Sequence, residues 1–305
     1  MSIKKILLTG SNGLLGQKIV HLILNETNHE LLATSKGLNR IISRDDINYQ
    51  SLDITDLKHL EKIVSVFRPD AIINTAAMTN VDACESQHEE CWSLNVAAVE
   101  NLVKVSNEFN IHLVHLSTDF VFDGEGGPYS EEDEPNPLSL YGKSKWESEK
   151  IVINSGLERW SIARTIIVYG VVENMSRSNV VLWAKGALEK GEPINVVDDQ
   201  FRSPTYALDL AKGCLSIVEK EKSGVFHLSG KDLMSIIELV YRVADYYGLD
   251  KSTINPIKSA VLNQAAKRPP YTGFNLTKAN ELLDYDPLSF EEGLDALSKE
   301  LVTLN

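Results

Sequence analysis

The sequence predicts an α/β protein: a doubly wound, Rossmann-like parallel sheet with a smaller, interleaved C-terminal lobe. Three observations carry that expectation. Short apolar runs alternate with helical patterns from residue 1 to about 168, the pattern of strand–helix units packed into one sheet covered on both faces. A glycine-rich turn, Gly10-Ser11-Asn12-Gly13-Leu14-Leu15-Gly16, separates the first apolar run from the first helical pattern. Beyond residue 168 the alternation gives way to less regular helices and short strands. Residues 1–168 are therefore read as one domain and 169–305 as a lobe, with 205–230 returning to the first.

Residues 5–9 form the first strand, and a helix follows through Ile19, Ile23 and Leu24. In the turn between them Gly10 permits a sharp reversal, Gly13 lets a pyrophosphate approach the backbone, and Gly16 allows close helix–strand packing. Helix-terminal N–H groups would face the phosphates, so Gly10, Ser11, Asn12, Gly13, Leu14 and Leu15 are dinucleotide-binding candidates. A purely structural turn is the alternative. The second strand, 30–34, is expected to end beside the adenosine ribose. An NAD-selective site places an acid there, whereas this chain has Thr34-Ser35-Lys36-Gly37 with Arg40 nearby. That favours NADP(H) over NAD(H), with Ser35, Lys36 and Arg40 as candidates for the 2′-phosphate; a merely solvated loop is the competing reading.

The third strand, 48–52, leads into Asp53-Ile54-Thr55-Asp56, where Thr55 or Asp56 caps a helix over 57–67. The fourth, 70–74, runs into Thr75-Ala76-Ala77-Met78-Thr79, small residues that let a ligand lie flat across the sheet. A long helical segment over 85–109 carries Asn95 among apolar neighbours, for which a satisfied structural role is the plain reading. The fifth strand, 111–116, ends in Ser117-Thr118, hydroxyls placed where such sheets bind ligands and able to donate to a carbonyl oxygen on which charge develops.

An acidic, proline-bearing loop over 125–138 then delivers the chain to Tyr141. Tyr141 and Lys145 stand four apart at the opening of a helix, on one face. An ammonium about 5 Å from the phenol, at an effective dielectric of about 20, stabilises the phenolate by roughly 3 kcal/mol, or about 2 to 2.5 pKa units. Such a tyrosine would work near pH 7.5, about two units below its ordinary value. Spacing alone is weak, since Tyr247 and Lys251 share it at what reads as a surface helix end. A hydroxyl-tipped strand, a loop and then this pair form a much more specific arrangement.

A sixth strand, 161–165, continues as Ile166-Ile167-Val168-Tyr169-Gly170. After it come a helix over 179–190, a strand over 194–197, a helix from Pro204, a strand over 224–228 that rejoins the main sheet, and helices over 234–247 and 276–283. The substrate cleft is expected between this lobe and the carboxyl edge of the sheet.

Bulk properties narrow the partners. With 30 Lys and Arg against 43 Asp and Glu, the net charge is -13 and there is no basic block. Nucleic acid and anionic membrane surfaces are thereby disfavoured, while a local basic site for an anionic small molecule is not. The three cysteines, Cys84, Cys91 and Cys214, show no C-x-x-C spacing, which suits a reducing compartment; Cys84 and Cys91 are read as core. No apolar run approaches 18 residues, and a cytoplasmic location is expected. A homo-oligomer is compatible with all of this.

The stretches Leu8 to Gly16, Asn74 to Asp82, Leu116 to Gly124, Tyr141 to Lys145, Arg164-Thr165, Asp199 to Thr205 and Lys267-Arg268-Pro269 together resemble an extended short-chain dehydrogenase/reductase, and more narrowly the dTDP-4-dehydrorhamnose reductase family. The resemblance implies NADPH-dependent reduction of the C4 carbonyl of a nucleotide-linked 4-dehydro-6-deoxy sugar, with Thr118, Tyr141 and Lys145 catalytic. It implies Asp53 and Ile54 against the adenine, Ala76, Ala77, Met78 and Asn95 on the cofactor side, and Thr79, Val81, Phe120, Ile167 and Arg268 on the substrate side, Arg268 near the diphosphate. No metal is assigned. One departure stands out: the family commonly has Ser-Trp after the Arg-Thr pair, and this chain has Ile166-Ile167. Two other readings stay open. One is a nucleotide-sugar epimerase or dehydratase, although the Thr-Asp-Glu of such dehydratases is Thr118-Asp119-Phe120 here. The other is a non-catalytic, cofactor-binding regulatory subunit resembling that of methionine adenosyltransferase.

Overall fold

The computed structural model describes residues 2–304. Its first half runs β1 (Lys5–Thr9), α1 (Leu14–Glu26), β2 (Glu30–Ser35), β3 (Tyr49–Ser51), α2 (Leu57–Phe67), β4 (Ala71–Asn74), α3 (Val81–Ser86), α4 (His88–Trp92), α5 (Ala98–Phe109), β5 (His112–Thr118), α6 (Leu140–Ile153) and β6 (Trp160–Thr165). The second half continues with β7 (Val168–Tyr169), α7 (Val180–Glu189), β8 (Ile194–Val197), β9 (Phe201–Arg202), β10 (Thr205–Tyr206), α8 (Ala207–Glu219), β11 (Gly224–His227), β12 (Met234–Ser235), α9 (Ile236–Tyr247), β13 (Ile254–Ile257), β14 (Tyr271–Thr272), α10 (Thr277–Leu283) and α11 (Phe290–Leu304).

Seven strands form one parallel sheet in the order β3-β2-β1-β4-β5-β6-β11. The order reverses direction between β1 and β4, and the carboxyl ends of strands flanking such a switch point form a crevice for ligands. Successive residues of β1 serve opposite faces, as the two-residue strand period requires. Ile6 and Leu8 pack with Ile19, Ile23, Leu210 and Cys214, while Leu7 packs with Ile72, Leu102, Val105 and Leu113. Burial on both faces is why β1 reads as a continuous apolar run instead of an alternating one. A second core in the C-terminal part joins Val181, Ala184, Leu239, Val243 and Leu294. Among the described residues no helix is long and apolar enough to cross a membrane.

One local expectation is corrected, one choice between two caps is decided, and one further helix is present. The single helix expected over 85–109 starts earlier and is broken. Asn80 caps α3 by accepting from the Ala83 N–H, and α5 is preceded by a π-helical turn at Ser93–Ala97. Such wide turns reposition a side chain inside a helix, and here the one displaced is Asn95. The cap of α2 is Asp56, which accepts from His59 N; Thr55 instead donates to the Asp53 carboxylate. Helix α11 was not foreseen, although Ser289 and Glu292 exchange the reciprocal hydrogen bonds of a capping box and mark its start in sequence.

Candidate active site

A cleft of about 610 Å³ opens at the carboxyl ends of β1, β4, β5 and β6 and is roofed by residues 172–180. Of the residues expected at the site, Asn12, Gly13, Leu14, Leu15, Ala77, Thr79, Val81, Thr118, Phe120, Tyr141, Lys145 and Ile167 line it.

At one end the glycine-rich turn enters α1. Gly10 sits at φ +75°, and a Cβ on Gly16 would lie 2.3 Å from the Gly10 carbonyl oxygen, so the helix can rest on the turn only if residue 16 has no side chain. Ser11 is buried, and its hydroxyl has no partner among the described residues. Asn12 pins the neighbouring loop: its Nδ2 donates to Leu38 O at 2.8 Å and its Oδ1 accepts from Arg40 N at 2.9 Å. Ser35, at the end of β2, accepts a hydrogen bond from the Tyr49 hydroxyl on its carbonyl oxygen. Lys36 is exposed, and its Nζ lies 2.8 Å from Asp53 Oδ2. The acid absent from β2 thus arrives from the end of β3, because Ser35 pairs with Ser51 and brings Asp53 alongside. Arg40 is exposed and makes no ion pair among the described residues.

Several candidates do not reach the cleft lining. Ile54 is buried in the sheet core, and Ala76 packs against that core with its N–H donated to Asn74 Oδ1. Met78 is gripped at both backbone ends by Asn95, whose Oδ1 accepts from Met78 N at 2.8 Å and whose Nδ2 donates to Met78 O and to Ser144 Oγ. The Asn95 amide is fully used in fastening the loop after β4 to α6. Arg268 is also committed elsewhere: it forks onto the Asp82 carboxylate at 2.6 and 3.1 Å and donates to Ala266 O. Its guanidinium, in turn, holds the Asp82 carboxyl below its usual range.

At the other end Ser139 caps α6 by accepting from Gly142 N, which starts the helix so that Tyr141 and Lys145 enter the cleft. A Cβ on Gly142 would sit 2.2 Å from Phe120 O, so the helix presses directly on the segment after β5. Tyr141 is 8% exposed, packed on Cys84 and Cys91, with the Phe120 ring edge-on at 5.7 Å. Thr118 donates to Asp119 Oδ1 at 3.1 Å and accepts from Phe120 N. Asp119 is buried, takes a hydrogen bond from Thr272 and pairs with Arg202 at 3.4 Å, joining this segment to β9 and β14. Burial pushes the Asp119 carboxyl up, against the pull of Arg202.

The electrostatics depart from the expectation for a lysine-tuned tyrosine. Burial pushes the Tyr141 phenol up; Asp119, Cys84 and Cys91 add to this, and the Thr118 hydroxyl opposes it. Lys145 is not among the main influences on it, and its Nζ lies 3.0 Å from His115 Nε2, on β5. Burial pushes Lys145 itself down to about 8, with Glu149 and Cys91 acting the other way. As the structure stands, Tyr141 is a proton-bearing phenol. The Tyr247 and Lys251 pair behaves as a surface helix end: Gly248 terminates α9, Tyr247 meets Ser298 and Lys251 meets Asp245.

Sequence reasoning missed the roof of the cleft and His115, and two residues that it had named, Ser117 and Ile167, carry features that it did not show. Ser117 lines the cleft with a buried hydroxyl that has no partner among the described residues. Residues 172–180, including Met175 and Arg177, form its roof, and only the Asn179 cap of α7 announced them. This roof is tied to the glycine-rich turn, since Gln17 donates to Glu173 O and accepts from Glu173 N, and Glu173 also receives Ile42 N and Ser43 N. His115 carried no sequence signal. Ile167 adds a strained point, with φ +34° at a β-branched residue, held by Thr205 N on its carbonyl.

Residues 4–303 match the family model described as the RmlD substrate binding domain. Methionine adenosyltransferase 2 subunit beta of Xenopus tropicalis is 34% identical over 259 residues, 83% of this chain and 75% of that protein. The dTDP-4-dehydrorhamnose reductase of Aggregatibacter actinomycetemcomitans is 30% identical over 302 residues, 95% and 97% of the two chains. Among solved structures, dTDP-4-dehydrorhamnose reductase from Bacillus anthracis in complex with NADP superposes with a TM-score of 0.85 at 28% identity, covering 98% of this chain and 100% of that one.

Proposed function

The chain belongs to the RmlD substrate binding domain family, and from that premise we propose that it reduces the C4 carbonyl of a nucleotide-linked 4-dehydro-6-deoxy sugar with NADPH. The observation that carries this reading is the convergence of Thr118, Tyr141 and Lys145 with the glycine-rich turn on one cleft. The residues fit a dinucleotide: the turn offers backbone without side chains, and Ser11 and Ser117 present buried, unpartnered hydroxyls. Ser35 and Arg40 stand ready for a 2′-phosphate. When bound, the cofactor supplies the hydride.

The chain's own residues handle the proton and the geometry. Tyr141 gives its phenolic proton to the carbonyl oxygen, so that hydride and proton together make the alcohol. Thr118, whose hydroxyl proton rests on Asp119 Oδ1 in the unliganded site, turns that proton to the carbonyl oxygen to share its hydrogen bonds, and Lys145 lies one helical turn along α6 to hold a ribose. Phe120 cannot transfer a proton, which disfavours a dehydratase.

A second reading, a non-catalytic cofactor-binding subunit, is supported by the methionine adenosyltransferase relatives and by two particulars: Ile166-Ile167 where the resemblance expects Ser-Trp, and Arg268 committed to Asp82. The deciding experiment is NADPH oxidation by the purified protein with dTDP-4-dehydro-6-deoxy-L-lyxo-hexose, extended to GDP- and UDP-linked 4-keto sugars. Turnover supports the reductase. Stable cofactor binding with no turnover on any of them supports the binding subunit.

A further inference from the structure

A buried chain of side chains runs behind Lys145 from strand to strand. Thr9 Oγ1, on β1, donates to Asn74 Oδ1 on β4 at 2.5 Å. The same Oδ1 accepts the Ala76 N–H, so the amide is oriented with Nδ2 toward His115 Nδ1, 3.0 Å away on β5. An amide N–H₂ can only donate, so His115 Nδ1 accepts. The single ring proton of a neutral imidazole then sits on Nε2. That Nε2 faces two atoms at 3.0 Å, Ser148 Oγ and Lys145 Nζ. Ser148 commits its own proton to Lys145 O at 2.7 Å and can accept. An ammonium at Nζ has three donors and no lone pair, so it would oppose the ring N–H, whereas a neutral amine can receive it.

We propose that His115 is a positioning residue for Lys145: locked by Asn74 as the Nε2–H tautomer, it presents a donor to Nζ and stabilises the neutral amine over the ammonium. The other titratable groups acting on Lys145 are Glu149 on α6 and Cys91 on α4, and Tyr141 stands one turn before it on α6. Glu149 is itself engaged by Arg164 from β6 at 2.6 Å, which blunts its pull on the lysine. His115 is fully buried, and burial, the largest influence on it, holds it neutral whichever form Lys145 takes. Resting on the reductase reading, the consequence is that above about pH 8, where Lys145 has given up its proton, Tyr141 has no ammonium drawing off its own before a carbonyl arrives, and stays in its acid form to higher pH.

Two measurements on the full chain test this without turnover. In protein carrying ¹⁵N-labelled histidine, long-range ¹H–¹⁵N correlations at pH 7, assigned by the signal lost in H115Q, report the tautomer; Nε2–H is expected, and Nδ1–H overturns the proposal. Titration of the Lys145 ¹³Cε signal, assigned by its loss in K145M, is then compared between wild type, H115F and H115Q. A hydrogen bond present in only one protonation state is worth about one pH unit, so H115F should raise the midpoint by about that much, while H115Q, which keeps an N–H donor, stays near wild type. An unchanged or lower midpoint in H115F overturns the proposal. The tautomer is read on the wild-type protein, with H115Q serving only to assign the signal, and absence of reductase activity would leave both readouts intact.

Discussion

Lys36 Nζ lies 2.8 Å from Asp53 Oδ2, so the cation at the end of β2 is met by an acid from the end of β3. On the NADPH reading, the 2′-phosphate therefore depends more on Arg40, which has no acidic partner among the described residues, than on Lys36. Loss of a charge-assisted phosphate contact is worth roughly tenfold in affinity. R40A is expected to raise the KM for NADPH by about that factor with little change for NADH, and K36A to have a smaller effect. D53N, which frees Lys36, should widen the preference for NADPH. Steady-state kinetics with the two cofactors decide it; a clear NADH preference in the wild type would remove the 2′-phosphate assignment.

Tyr141 is the only group assigned to deliver a proton to the carbonyl oxygen. Y141F keeps the ring that packs on Phe120, Cys84 and Cys91 and removes the hydroxyl. Turnover should fall at least roughly a hundredfold, the lower end for a general acid, while NADPH binding followed by fluorescence persists. Activity retained in Y141F would take the acid's role from this residue.

Lys145 makes stability depend on pH with a definite sign. Its folded-state pKa, pushed down to about 8 from 10.5, lies below the unfolded value, so the unfolded chain binds more protons between those limits. Stability from this residue therefore rises as pH goes from about 8 to about 10.5, by about 3 kcal/mol at most, and is lost again on acidification. Urea unfolding at pH 8, 9 and 10 should show a positive slope that is flatter in K145M. Equal slopes in the two proteins would place the titration elsewhere.

Glu149 and Arg164 form a fully buried ion pair joining α6 to β6, with Arg164 forked onto both carboxylate oxygens and lying over the Phe122 ring. Removing one partner leaves a charge without its counter-ion and costs about 3–5 kcal/mol, whereas replacing both by apolar groups costs far less. E149L and R164M should each lower the unfolding midpoint sharply, and the double variant should recover much of the loss. Additive losses would mean that the pair is not coupled.

What could be read from the chain without coordinates was local. The apolar runs, the Gly10–Gly16 turn, Asp56 as one of two candidate caps and the Tyr141–Lys145 register on α6 depend on neighbours within a few residues, where propensity and steric limits act directly. The π-turn that aims Asn95 at Met78 was not legible, because a helix interrupted for the sake of a tertiary hydrogen bond keeps its apolar pattern. The capping box at Ser289 and Glu292, by contrast, is a local signal legible in the chain.

The doubly wound alternation of strands and helices, the family, and the residue types that gather at the sheet's carboxyl edge are all written in the chain. Only the tertiary structure decided what those residues hold. Lys145 meets His115, 30 positions away, Lys36 meets Asp53, Arg268 is spent on Asp82, and Gln17 grips Glu173 across 156 positions. Each of these pairings follows from strand order, register and the packing of the C-terminal lobe. Hydrogen bonds and charges are satisfied by whatever the fold brings within about 3 Å, and no local pattern in the chain records which partner that will be.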